Sequence, residues 1–167
     1  MEPDYYDYET KTQLTVTNDT LDAVIGRVTE HLRNSKGEIL SSYTTDVSID
    51  PLSTFTLPET DFNKTDVLHN YCSYELEVNG NVISEGTVLF TAPKHFKFVD
   101  PELEARIEGD EIVIIAKAYA KSVEIYSDGC DFILSDNFFD MNGGEKRVKI
   151  LEGEPKNIKL RSVYDIK

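Results

Sequence analysis

The chain has 167 residues, of which 40% are hydrophobic and 29% charged, and its formal net charge is −14. That length suits one domain or two small ones, and no run approaches the ~18 consecutive apolar residues that a membrane helix requires. So acidic a surface argues against nucleic acid and anionic membranes as partners, because phosphates and lipid headgroups would be repelled.

Along the chain the hydrophobic pattern predicts strands. Apolar and polar residues alternate in Leu14-Thr15-Val16-Thr17, the period of a half-buried strand. Val24, Gly26, Val28 and Leu32 share one face of the next stretch, and Asn34-Ser35-Lys36-Gly37 supplies turn chemistry before a second alternating run, Ile39 to Ile49, with Tyr43 and Val47. Ser53 to Leu57 reads as a short strand stopped by Pro58, and residues 63–70 as a loop or at most one helical turn. Asn79-Gly80, between Val78 and Val82, is a strong hairpin signal because both residues accept positive φ, so residues 71–90 form a predicted hairpin.

The second half continues in the same style. Leu103, Ala105 and Ile107 alternate, Gly109-Asp110 turns the chain, and Ile112 to Ala116 is apolar enough for a strand covered on both faces. Val123 and Ile125, then Phe132 to Leu134, Val148 to Ile150 and Ile158 to Leu160 bring this half to six or seven strands, the number of an immunoglobulin-like sandwich. No helix of three turns is expected. Thr91-Ala92-Pro93-Lys94 marks the boundary, since Pro93 cannot donate to a ladder and holds its predecessor extended. The expected fold is therefore all-β, two tandem immunoglobulin-like sandwiches over 1–92 and 93–167.

The two halves differ in surface. Residues 1–92 hold 16 acidic and 5 basic side chains, net −11, whereas residues 93–167 hold 15 and 12, net −3. Solvation accounts for such a face in the ordinary way; the sharper reading is that it meets a basic partner surface, in the same polypeptide or another. Cys72 and Cys130 are the only cysteines, and two isolated thiols read as buried small hydrophobes in a reducing compartment. Residues Met1 to Tyr8 have neither the basic start nor the apolar core of a signal peptide, so a cytoplasmic location is expected.

The segment from Ser135 through Asp136-Asn137-Phe138-Phe139-Asp140-Met141-Asn142-Gly143-Gly144-Glu145 into Arg147 to Ile150 has a distinctive order. Phe138 and Phe139 are expected to plug the end of a core, Asp136, Asn137 and Asp140 to bond their own turning backbone, and Gly143-Gly144 to take positive φ. With Lys94 to Phe98, Asp100-Pro101-Glu102 and Ala116 to Val123, it closely resembles the last immunoglobulin-like domain of family 2 glycoside hydrolases of the β-mannosidase type. Leu14 to Leu21, containing Val16-Thr17-Asn18-Asp19-Thr20, is similar to the strand and turn that open the sandwich following the catalytic barrel in that family.

The resemblance implies a parent enzyme that removes terminal β-mannose by a retaining mechanism, with two carboxyl groups about 5 to 5.5 Å apart. In the family both come from the barrel, and no glutamate here matches them. It implies a non-catalytic accessory region whose partners are the barrel and upstream domains of one polypeptide, without cofactor or metal. The alternatives are an independent carbohydrate-binding or adhesion module with weak sugar contact, and the accessory domains of another family 2 β-glycosidase.

Individual residues point the same way. Glu75 and Glu77, like Glu102 and Glu104, are two apart and so share a strand face, which reads as the solvent side opposite Leu76 and Leu103. His31, His69 and His95 show no zinc spacing, and Asp140 to Gly143 matches only the middle of a calcium loop, with Phe138 where the first ligand belongs. Asn18-Asp19-Thr20 and Asn63-Lys64-Thr65 fit the glycosylation pattern. Tyr5, Tyr6 and Tyr8 could offer rings to a sugar or pack on an upstream domain, while Tyr119 and Tyr126 read as core or rim.

Overall fold

The computed structural model describes residues 9–166. Among them the structure is all-β, fifteen strands and one 3-10 turn at Val163–Asp165. They fall into two compact units: residues up to Asn34 with Ile39–Phe96, and Ser35–Glu38 with the chain from Lys97 onward.

In the first unit the largest sheet is antiparallel, built from β3 (Val24–Asn34), β4 (Ile39–Ile49), β7 (Asn70–Val78) and β8 (Asn81–Leu89) in the order β4-β3-β7-β8. Facing it are two short pairs, β2 (Thr15–Asn18) with β5 (Ser53–Thr56) and β1 (Lys11–Thr12) with β6 (Thr60–Asp61). The alternation of β3 explains the layer. Val28 and Leu32 point inward, and Val28 meets Val47, Ile49, Leu57 and Leu76, with Val16 of β2 and Leu14 just before it packed against them. Asn79 (φ 52) and Gly80 (φ 77) both turn left-handed between β7 and β8, the geometry of the expected hairpin. Phe96 closes this unit with its ring edge-on to Tyr71, centroids 6.2 Å apart.

The second unit sets a sheet of order β12-β14-β10-β9 against one of order β13-β11-β15. The strands are β9 (Glu104–Glu108), β10 (Glu111–Ala116), β11 (Ala120–Tyr126), β12 (Ile133–Leu134), β13 (Phe139–Met141), β14 (Gly144–Glu152) and β15 (Lys159–Arg161). Ile112, Ile114, Val123, Ile125 and Val148 form the core between the sheets. As the apolar run anticipated, β10 is covered on both faces. Val113 is fully buried on the side opposite Ile112 and Ile114, flanked in register by Arg106 and Arg147, whose long stems can cover apolar surface. Their guanidinium groups are tied to Glu108, Glu111 and Glu145 at 2.6 to 3.3 Å. Each of these exposed pairs is worth little alone.

The double phenylalanine behaves differently from expectation. Phe139 is buried, but Phe138 is 62% exposed with φ 62, so only one ring plugs the core. Neighbouring residues of an extended chain face opposite ways, and the left-handed backbone at 138 leaves its ring outside. Glu102 also departs from the strand reading: at φ 45 it precedes β9, so it does not share a strand face with Glu104, and its carboxylate pairs with Lys117 at 2.5 Å.

Gly26 lies in β3 with no space for a side chain, because a Cβ there would stand 2.6 Å from the Glu77 carbonyl oxygen. Gly26→Ala is expected to lower unfolding free energy by about 1 to 3 kcal/mol, the usual cost of overpacking, as read from a urea transition.

Candidate functional site

The polar residues with the most partners are those that complete the backbone. Asn18 ends β2 and is 4% exposed. Its Nδ2 donates to the carbonyls of Asp22 (2.9 Å), Asp50 (3.0 Å) and Ile49 (3.3 Å), and its Oδ1 accepts from the Thr20 N–H (3.0 Å) and hydroxyl (2.7 Å). One side chain thus ties the loop after β2 to the end of β4. Its sequence signal was the Asn-Asp-Thr turn, since asparagine bonds its own backbone two residues on.

Asn137 and Asp140 do comparable work in the second unit. Asn137 Oδ1 accepts the Ile125 N–H (2.8 Å) and its Nδ2 donates to the Ile125 carbonyl (3.1 Å), extending the ladder of β11 beyond its last β13 partner. Between Ala120 and Val123 the register slips and Ser122 takes φ 53. There the Asp140 carboxylate accepts the Ser122 N–H (2.8 Å) and the Lys121 ammonium (3.0 Å). Asn137 also accepts the Phe138 N–H at 3.0 Å, and Asp136 pairs with Lys146 at 3.0 Å. Asn137 thus bonds its own turn as expected, and it and Asp140 also reach the neighbouring strand β11, which the turn reading did not include.

Glu30 is a buried carboxylate that the sequence reading passed over, although it occupies the inward register between Val28 and Leu32. Its Oε1 accepts from the Thr12 hydroxyl and its Oε2 from the Thr60 hydroxyl at 2.6 Å. Thr12 and Thr60 are direct cross-strand partners, so two adjacent hydroxyls satisfy both oxygens of one carboxylate, strong charge-assisted bonds. The short β1–β6 pair is thereby fastened to the main sheet. With its oxygens engaged in this way, Glu30 is a strut.

Against this geometry, a family model described as a Mannosidase Ig/CBM-like domain matches residues 10–95. The chain belongs to that family. A second model, an Ig-fold domain of mannosidases, matches residues 98–166. Among solved structures the chain is similar to the beta-D-mannosidase from Dictyoglomus thermophilum, with a TM-score of 0.68 and 18% sequence identity. That likeness is one of fold. It covers 92% of this chain and 20% of that enzyme, so the chain spans about a fifth of the length of its structural neighbour. No curated protein matches it.

Within these mannosidase-type domains the remaining singled-out residues are scattered. Glu75 and Glu77 lie on β7 beside buried Leu76, on the face away from the core. His31 faces Ser42 at 2.7 Å and its ring is held less basic than usual by burial and Arg33. His69 pairs with Asp66 at 2.8 Å, and His95 is exposed. Among the described residues no three His, Cys, Asp or Glu side chains group to hold a metal, and no helix is long and apolar enough to cross a membrane. Of the two glycosylation patterns, Asn18 has its amide engaged inside the fold, whereas Asn63 is exposed. Tyr119 is fully buried and stacked on Phe98, and Tyr126 lies under Arg161, 5.3 Å from the ring centroid. Tyr5, Tyr6 and Tyr8 lie outside the described residues.

The cysteines differ from each other. Cys72 is fully buried beside Leu32 and Phe62, and burial, then the Glu30 charge, pushes its thiol up to about 12. Cys130, expected to be buried, is half-buried: its Sγ lies 3.1 Å from the Ser127 hydroxyl and 3.4 Å from the Lys156 N–H, which lower its pKa. A thiol reagent near pH 8 is expected to modify Cys130 in the folded chain and both cysteines in urea. The native state keeps the Cys72 proton while the unfolded chain loses its own near the ordinary value of about 8.5. Stability from this group is therefore complete below that pH and is lost as pH rises toward about 12, which urea unfolding across that range measures.

Proposed function

We propose that the chain is a non-catalytic accessory pair of immunoglobulin-like sandwiches, divided near residue 92, that positions and stabilises the catalytic barrel of a β-mannosidase-type glycoside hydrolase. The observation that carries this reading is the order of the two matches, a Mannosidase Ig/CBM-like domain followed directly by a mannosidase Ig-fold domain. The fold likeness to one fifth of a beta-D-mannosidase supports it. So does the use of the polar side chains: Asn18, Glu30, Asn137 and Asp140 are committed to holding strands. Retaining glycoside chemistry needs two carboxyl groups facing each other across a bond, whereas Glu75, Glu77 and Glu104 lie on strands and Glu102 is in a surface ion pair with Lys117. The match of residues 10–95 to a Mannosidase Ig/CBM-like domain favours a second reading, weak sugar binding by the first unit.

Calorimetric titration with mannobiose, longer manno-oligosaccharides and non-mannose controls is expected to give no saturable binding at millimolar ligand, and a chromogenic β-mannoside is expected to survive incubation with the chain. Saturable binding confined to the first unit would install the second reading instead. In a glycosidase polypeptide that carries the pair, deleting it should lower both the melting temperature and turnover; if neither changes, the accessory role is wrong.

A further inference from the structure

The Asn18 network leaves an apolar tip at one end of the first unit. Leu52 N–H donates to the Thr20 carbonyl at 3.1 Å, which joins the loop after β2 to the loop after β4. At the crest of these joined loops Leu21 is 80% and Leu52 68% exposed. Ile25, 74% exposed, is the second residue of β3 and lies at the same end, since its neighbour Val24 pairs with Ile49. Leu52 is held at φ 50, a left-handed conformation that a leucine rarely takes. Strain of this kind persists where the surroundings fix it and tends to mark functional surface. The anchoring is firm, because buried Asn18 bonds to both loops.

Asp19, Asp22 and Asp50 are exposed in these same two loops, and none of their carboxylates has a hydrogen-bond or ion-pair partner among the described residues. Two exposed leucines thus share their two joined loops with three free carboxylates. Single exposed apolar residues are ordinary, but a pre-ordered apolar knob with a charged rim has the anatomy of an interface.

We propose that this tip docks into an apolar socket rimmed by lysine and arginine on the catalytic body of the glycosidase polypeptide. This rests on the accessory reading above and names the contact through which it would act. Charge selects the occupant: the carboxylate rim attracts a basic rim and repels an acidic surface, a second copy of the same tip included. Length agrees, since four-fifths of the similar mannosidase lies outside the matched part.

The test places a benzoylphenylalanine photo-cross-linker at Leu21 or Leu52, and at the exposed polar Thr54 as control, in the complete polypeptide carrying the pair. Irradiation and peptide sequencing should map cross-links from positions 21 and 52 to a segment outside residues 1–167 in which lysine or arginine flanks apolar residues. The yield should exceed that from position 54 severalfold and fall when Asp19, Asp22 and Asp50 are changed together to Asn. Leu52→Gly should leave the isolated chain at least as stable, because glycine accepts φ 50 without strain, yet lower the melting temperature of the complete polypeptide. Cross-links no stronger than the control, or directed to an acidic segment or a second copy, overturn the docking site. If deletion of the whole pair still destabilises the enzyme in that case, the accessory role survives and only the tip is wrong.

Discussion

The Asn18 amide, shared among three carbonyls and receiving one N–H, closes the open end of the first sandwich, and the Asn137 amide lengthens a strand of the second. Both answer one constraint. Both sandwiches include short strands that end early, such as β2 and β13, and each end leaves backbone donors and acceptors that must find partners once buried. Here polar side chains supply them, while Glu30 joins the layers by a different route, accepting the side-chain hydroxyls of Thr12 and Thr60. The apolar clusters provide the bulk of the driving force, but these bonds decide where the loops and edge strands lie.

The motifs that carry the family resemblance acquire a physical meaning in this light. Val16 to Thr20 contains the buried Asn18, and Asp136 to Glu145 contains Asn137 and Asp140. Their spacing is set by the bonds that fold the chain. That is consistent with an accessory region whose motif residues serve its fold.

Much of the fold was legible from the residues. The alternation in Ile39 to Ile49, the Asn79-Gly80 hairpin and the doubly covered run at Ile112 to Ala116 each reflect local physics: a period of two, a demand for positive φ, an unbroken apolar stretch. What escaped was long-range. Glu30 looks like any strand glutamate until Thr12 and Thr60 are brought opposite it from separate strands. Phe138 looks like a core residue until the left-handed turn at that position sends its ring outward. The hydrogen bond that the Cys130 sulfur accepts comes from the Lys156 N–H, 26 residues away in sequence. Pattern reading finds elements, and the partners of a polar side chain are set by how those elements meet.

The claim that side-chain bonds to the backbone hold these sandwiches is tested most directly by urea unfolding of Asn18→Ala and Asn137→Ala beside the solvent-face control Thr17→Ala. The account predicts that each asparagine variant loses about 1 to 3 kcal/mol, because buried backbone groups are left unpaired, while the control stays within about 0.5 kcal/mol of the parent chain. Asparagine variants as stable as the control would contradict it and return the explanation to apolar packing alone.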